Sequence, residues 1–109
     1  MKQNITTYDL DTLPSGTPFK KLSDWCEEKE YTDLHLSIGQ MIEFLHQWPD
    51  RFSFGSFSWK DTKSGYGWCV EEYWTKDNGG EPGKGGVKQC EDAEELCDAL
   101  WETVKEVLK

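Results

Sequence analysis

The chain has 109 residues, 36% hydrophobic and 30% charged, with a formal net charge of −9, which is one domain's worth of sequence. An aromatic content of 14%, with six Trp, excludes a disordered chain, because disordered chains have no core in which to put such residues. The polar start Met1 to Thr7 has no secretory h-region, and no apolar run approaches the roughly 20 residues of a membrane span, so the expected setting is cytoplasmic, without membrane contact.

Residues 1–16 lack periodicity and are expected to be irregular, with Asp11 to Gly16 as a turn punctuated by Pro14 and Gly16. Thr17-Pro18 reads as a cap followed by proline in the first helical turn. Phe19, Leu22, Trp25 and Cys26 then recur at helical spacing, predicting a helix from Pro18 to about Lys29. Thr32 to Leu36 alternates and reads as a short strand or an extended lead-in. Ser37-Ile38-Gly39-Gln40 has the form of a capping box, with Leu36 and Met41 placed as a hydrophobic staple. The helix it opens runs through Ile42, Phe44, Leu45 and Trp48 to a stop at Pro49.

Arg51 to Trp74 reads as a hairpin. Phe52 and Phe54 share one parity and Phe57 and Trp59 the other, so a bulge is expected at Gly55-Ser56. Asp61 to Gly65 is the connection. In the second strand Tyr66, Trp68, Val70, Glu72 and Trp74 form the set expected on the core face. Residues 77–86 hold five glycines and are expected to be a flexible loop that proteases cut first. Val87 to Cys90 is a candidate edge strand. A final helix from about Ala93 to Leu108, capped by Asp92 with Glu95 at its third position, carries an apolar stripe through Leu96, Cys97, Leu100, Trp101, Val104 and Leu108. The expected fold is therefore a single α+β domain over 1–109: a small antiparallel meander of two to three strands packed against two or three helices, the last one long.

Several chemistries need weighing. Gly83-Lys84 resembles part of a phosphate loop, but Asn78 stands where the first Gly belongs and Gly85 where Ser or Thr belongs. Cys26, Cys69, Cys90 and Cys97 have no closely paired spacing, and His35 and His46 are eleven apart, so no zinc site is expected. Without an export signal all four thiols are expected to be reduced. Cys26 sits beside Glu27 and Glu28, which oppose thiolate formation. No catalytic residue and no cofactor is assigned. The aromatic hairpin has too few Lys and Arg around it for direct nucleic-acid binding.

The charge itself is localised. Residues 23–33 carry −4, residues 91–109 carry −5, and the rest of the chain is balanced. Glu91, Glu95, Asp98, Glu102 and Glu106 step by four, three, four and four residues, a ladder of like charges on one helix face. Such neighbours cost a few tenths of a kcal/mol per pair; a solvated face is the default reading of the ladder, and a docking surface for a basic protein partner is the sharper one. The expectation is a small non-enzymatic interaction protein, with an antagonist of a nucleic-acid-binding protein as one form. The alternative is a small-ligand or carbohydrate-binding module that uses exposed hairpin aromatics.

Overall fold

Thr6 starts a helix that hydrophobic periodicity does not announce. Its Oγ1 accepts from the Asp9 N–H (3.1 Å) while the Asp9 carboxylate accepts from the Thr6 N–H (2.8 Å). This reciprocal capping box opens α1, Thr7–Asp11. Residues 4–11, expected to be irregular, thus carry a bridge and a helix. Asn4 bridges Ser37, the Ile5 N–H donates to the Leu36 carbonyl (2.9 Å), and Ile5 is buried. This single bridge takes the place of the strand considered for Thr32 to Leu36.

The structure, a computed structural model, describes residues 2–58, 66–81 and 85–109, and only the backbone at 56–58 and 66. The hairpin connection expected at Asp61 to Gly65 and the Gly83-Lys84 pair lie outside these residues.

Helix α2 spans Thr17–Glu28 with Gly16 as its N-cap, so Thr17 lies inside the helix rather than capping it. Its end is a Schellman turn, with Tyr31 N–H donating to the Cys26 carbonyl (2.8 Å) and Glu30 N–H to the Glu27 carbonyl (3.0 Å). That turn places Glu30 at φ 63°, a left-handed position where glycine is the usual occupant. Helix α3, Ile38–Leu45, opens on the expected Ser37–Gln40 capping box, and both staple residues, Leu36 and Met41, are fully buried. It ends a turn before Trp48, which closes the chain with an N–H to the Leu45 carbonyl (3.2 Å).

Strands β1 (Phe52–Ser58), β2 (Tyr66–Tyr73) and β3 (Val87–Ala93) form an antiparallel sheet in the order β1-β2-β3. The β1–β2 register is unbroken from Phe52↔Glu72 to Ser58↔Tyr66, so there is no bulge at Gly55-Ser56. Phe54, opposite Val70, thus stands in one regular strand. The irregularity lies between Glu72 and Tyr73, against β3. Between β2 and β3, Lys76–Asn78 makes a 3-10 turn that is firmly held. Asn78 Oδ1 accepts from the Thr75 N–H (2.8 Å), and Asn78 Nδ2 donates to Glu72 Oε2 (3.1 Å) and the Tyr73 carbonyl (2.8 Å). Gly80 closes this turn, and an added Cβ there would stand 2.7 Å from the Thr75 carbonyl oxygen. The start of the glycine-rich segment is therefore structured.

Helix α4, Leu96–Leu108, begins three residues later than the sequence suggests, because β3 runs on through Glu91, Asp92 and Ala93. It packs on α2, α3, β2 and β3. Leu22, Met41, Leu45, Val70, Leu100, Trp101 and Val104 are all buried around it. The Trp101 indole N–H donates to the Asp9 carbonyl (3.0 Å), tying α4 to α1. The expected α+β class is the observed one: a three-stranded antiparallel sheet with four helices, the last at the C-terminus.

The expectation of four reduced thiols is overturned. Cys69 opposes Asp92 and Cys90 opposes Glu71, which puts both cysteines on the sheet face opposite Val70, where their sulfurs are bonded. The expectation rests on the missing export signal, whereas the pairing of β2 with β3 brings these two cysteines together. Cys26 and Cys97 are free and buried. Among the described residues no helix is long and apolar enough to cross a membrane.

Candidate functional site

The five carboxylates singled out in the sequence do not form one continuous helical ladder. Glu91 lies on β3, Glu95 is the N-cap of α4, and Asp98, Glu102 and Glu106 follow along the helix. The fold divides them into two groups.

The first group holds down the N-terminus. Glu95 Oε2 accepts from the Lys2 backbone N–H (3.1 Å), and Lys2 Nζ meets Asp98 Oδ1 (2.5 Å) and Asp9 Oδ2 (2.6 Å). Burial pushes the Asp9 carboxyl up, but the Lys2 and Thr6 hydrogen bonds and the Lys2 charge outweigh it, leaving the group below its ordinary value. Asp98 is therefore a structural partner, and reversing its charge disturbs the fold as well as the surface.

The second group is the one the fold assembles. Glu91 sits opposite Val70, so it shares the helix-facing side of the sheet and looks toward α4. Burial first, and then the charges of Glu102, Glu106 and Asp92, push its carboxyl above the ordinary value against the pull of Lys109. Lys105 Nζ meets Glu102 Oε1 (2.7 Å) and Lys109 Nζ meets Glu106 Oε1 (2.6 Å). Lys105 is largely buried, bonded to Thr12 Oγ1 (3.0 Å) and lying over the Trp101 ring. Glu102 is half exposed. The result is an acidic edge formed by an edge strand and the helix beside it, with Lys105 on its inner side and Lys109 exposed beside Glu106.

A second feature was not read from the sequence. Glu72, placed correctly in the core-facing set, is 2% exposed and accepts from Arg51 Nε (2.6 Å), with Lys88 Nζ 3.7 Å from its other oxygen. Arg51 is itself buried, its guanidinium 5.1 Å from the Trp48 ring centroid and 5.2 Å from that of Phe52. Beside this pair lies a cleft of about 360 Å³, with Trp25, Phe44, Trp48 and Leu108 among its apolar walls and Lys21, Arg51 and Asp77 among its charged ones. Nothing in the local sequence joins Arg51 to Glu72. The register that makes Phe52 and Glu72 partners does.

The hairpin aromatics divide. Phe52 and Trp68 pack against the core, whereas Phe54 and Trp74 are 37% and 42% exposed. Trp74 is covered in part by Lys88, 5.4 Å from its centroid, and the Tyr73 hydroxyl donates to Glu71 Oε2 (2.6 Å). The side chains of Phe57, Trp59 and Tyr66 lie outside the described residues. Among the described residues no group of three or more His, Cys, Asp or Glu is placed to hold a metal ion. Burial raises the Cys26 thiol, and this rather than the adjacent acids is the cause; burial likewise carries Cys97 up to about 11. His35 is engaged at both ring nitrogens, with Asp33 Oδ1 at 2.7 Å and Thr7 Oγ1 at 2.9 Å. Compared with protein-family models, with curated proteins and with solved structures, the chain matches none.

Proposed function

We propose that the chain is a non-enzymatic interaction protein whose acidic β3–α4 edge docks a basic protein partner. One observation carries the reading. Glu91 arrives from the sheet and Glu102 and Glu106 from the helix, and burial first, then the charges of Glu102 and Glu106, raise the Glu91 carboxyl. Like charges gathered at a stability cost are accounted for when a cationic partner relieves them. Strand β3 is also an edge strand, so its position leaves room for a partner to approach both carboxylates and backbone. An antagonist that offers carboxylates to a surface built for phosphates is one form of this function.

The working set within the reading is Glu91, Glu102 and Glu106. Glu95 and Asp98 support it by fixing the N-terminus. Triple reversal to Lys at the working set should abolish capture of the partner from the native host, and binding by the parent chain should weaken as salt rises. Equal capture by the reversed chain, with unchanged salt dependence, would remove the edge from consideration. Exposed Phe54 and Trp74 keep the carbohydrate-binding alternative as a second reading. Loss of binding to a glycan array on their joint replacement by Ser would favour it.

The redox state of the Cys69–Cys90 pair bears on the compartment. A cytoplasmic setting keeps such a pair open, and an oxidising compartment keeps it closed.

A further inference from the structure

The cleft between α2, α3 and the last turn of α4 is separate from the acidic edge and has the attributes of a small-ligand site. At about 360 Å³ it falls within the range of small-molecule pockets, roughly 300–1,000 Å³. A second hollow of about 160 Å³ is lined by Trp48, Arg51 and Asp77 as well, so the two are neighbours.

Its apolar wall is rigid. Trp25 meets Phe44 edge to face at 5.2 Å and 86°, and Phe44 meets Trp48 at 5.8 Å and 74°. Trp25 and Phe44 are 7% and 3% exposed, so the rings are held by the core rather than by any ligand. A flat apolar group entering the cleft meets surfaces that pay no further ordering entropy.

The charge of the cleft departs from that of the chain. In a protein of net charge −9, this hollow is lined by Lys21 and Arg51 against the single carboxylate of Asp77. Arg51 is fixed from behind by the buried Glu72. Lys21 stands at the exposed rim of α2, where it remains available to a ligand. A cationic ligand meets two positive side chains here, and a neutral one leaves the Lys21 charge unused. Glu72 already pairs with Arg51 through Nε, so a carboxylate entering the cleft pairs first with Lys21, and the rest of the Arg51 fork can add to it.

We propose that this cleft binds a small planar carboxylate, its ring against Trp25, Phe44 and Trp48 and its carboxylate toward Lys21 and Arg51. The inference does not depend on the acidic edge.

The test uses three probes of one shape: naphthoate, naphthalenemethanol and naphthylmethylamine. Each is titrated into the isotope-labelled chain while the Trp25 and Trp48 indole N–H signals are followed by NMR. Naphthoate should shift both signals saturably and bind at least about ten-fold tighter than either other probe, a difference of about 1.4 kcal/mol. Lys21→Glu, an exposed change on α2 whose fold the same spectra monitor, should weaken naphthoate by a similar factor and improve the amine. Arg51 is avoided as a variant because it is part of the buried pair. No saturable shift, equal binding of all three probes, or indifference to Lys21→Glu would each overturn the proposal.

Discussion

Leu100→Ala is the most direct probe of how α4 holds the domain together. Leu100 is fully buried, on a helix that packs against α2, α3, β2 and β3. The substitution removes three carbons, worth about 2.4 kcal/mol at about 0.8 kcal/mol per buried methylene. Supports on four sides prevent the site from collapsing, and each 50 Å³ or so left empty adds about 1.2 kcal/mol. The expected loss is about 3.5 kcal/mol, a large part of the roughly 5–15 kcal/mol that stabilises a domain. Urea unfolding followed by circular dichroism and Trp fluorescence measures it. Tyr8→Ala serves as the control, since Tyr8 is 79% exposed and such surface changes stay within about 0.5 kcal/mol. A loss below about 1 kcal/mol at Leu100 would refute the central place given to α4.

Glu72→Gln should cost about 3–5 kcal/mol in the same assay, because it leaves the buried Arg51 charge without its partner. Glu91→Gln should act in the opposite sense. Its raised carboxyl makes the ionised form costly, so a gain of a few tenths of a kcal/mol at neutral pH should fade as pH falls through the raised folded value and be gone below the ordinary 4.5. Asp9 has a lowered carboxyl, so its contribution is complete above the ordinary 3.8 and lost as pH falls through the folded value. Asp9→Asn should therefore flatten the acid limb of the stability profile. Mass spectrometry of the oxidised, unreduced chain should find it about 2 Da light, for one disulfide. Thiol labelling should reach Cys26 and Cys97 only after unfolding, since both are buried; a full mass with four labelled thiols would exclude the Cys69–Cys90 bond.

What the sequence discloses is whatever its signals encode locally. The Ser37–Gln40 capping box is read directly, because its two hydrogen bonds span three residues. The apolar stripe of α4 and the core parity of Val70 and Glu72 are legible for the same reason. The pattern of Thr6 and Asp9 carries an equal signal that periodicity obscured, since α1 has no buried residue. The sequence reads Asp92 as the cap of the last helix and places Glu91 on its face by the four-residue step to Glu95. Pairing with Val70 and Cys69 across the sheet decides otherwise. Long-range partners are a different matter. Cys69 with Cys90, Arg51 with Glu72, and Lys2 with Asp98 are each set by register or by packing of distant segments. No spacing rule supplies them. The sequence places all the proposed docking residues on one helix face; Glu102 and Glu106 lie on α4, but Glu91 reaches them from β3.

The claim that the β3–α4 edge meets a basic partner is tested most directly by carbodiimide cross-linking, which joins a carboxylate to an amine only when the two are in contact. The chain, bound to its partner from the native host, is treated and the linked peptides are mapped. Partner lysines should be joined to Glu91, Glu102 or Glu106, and the links should vanish at high salt. Links concentrated instead on the acids of α2, Asp24, Glu27 and Glu28, would contradict the account and move the working surface to the other end of the charge distribution.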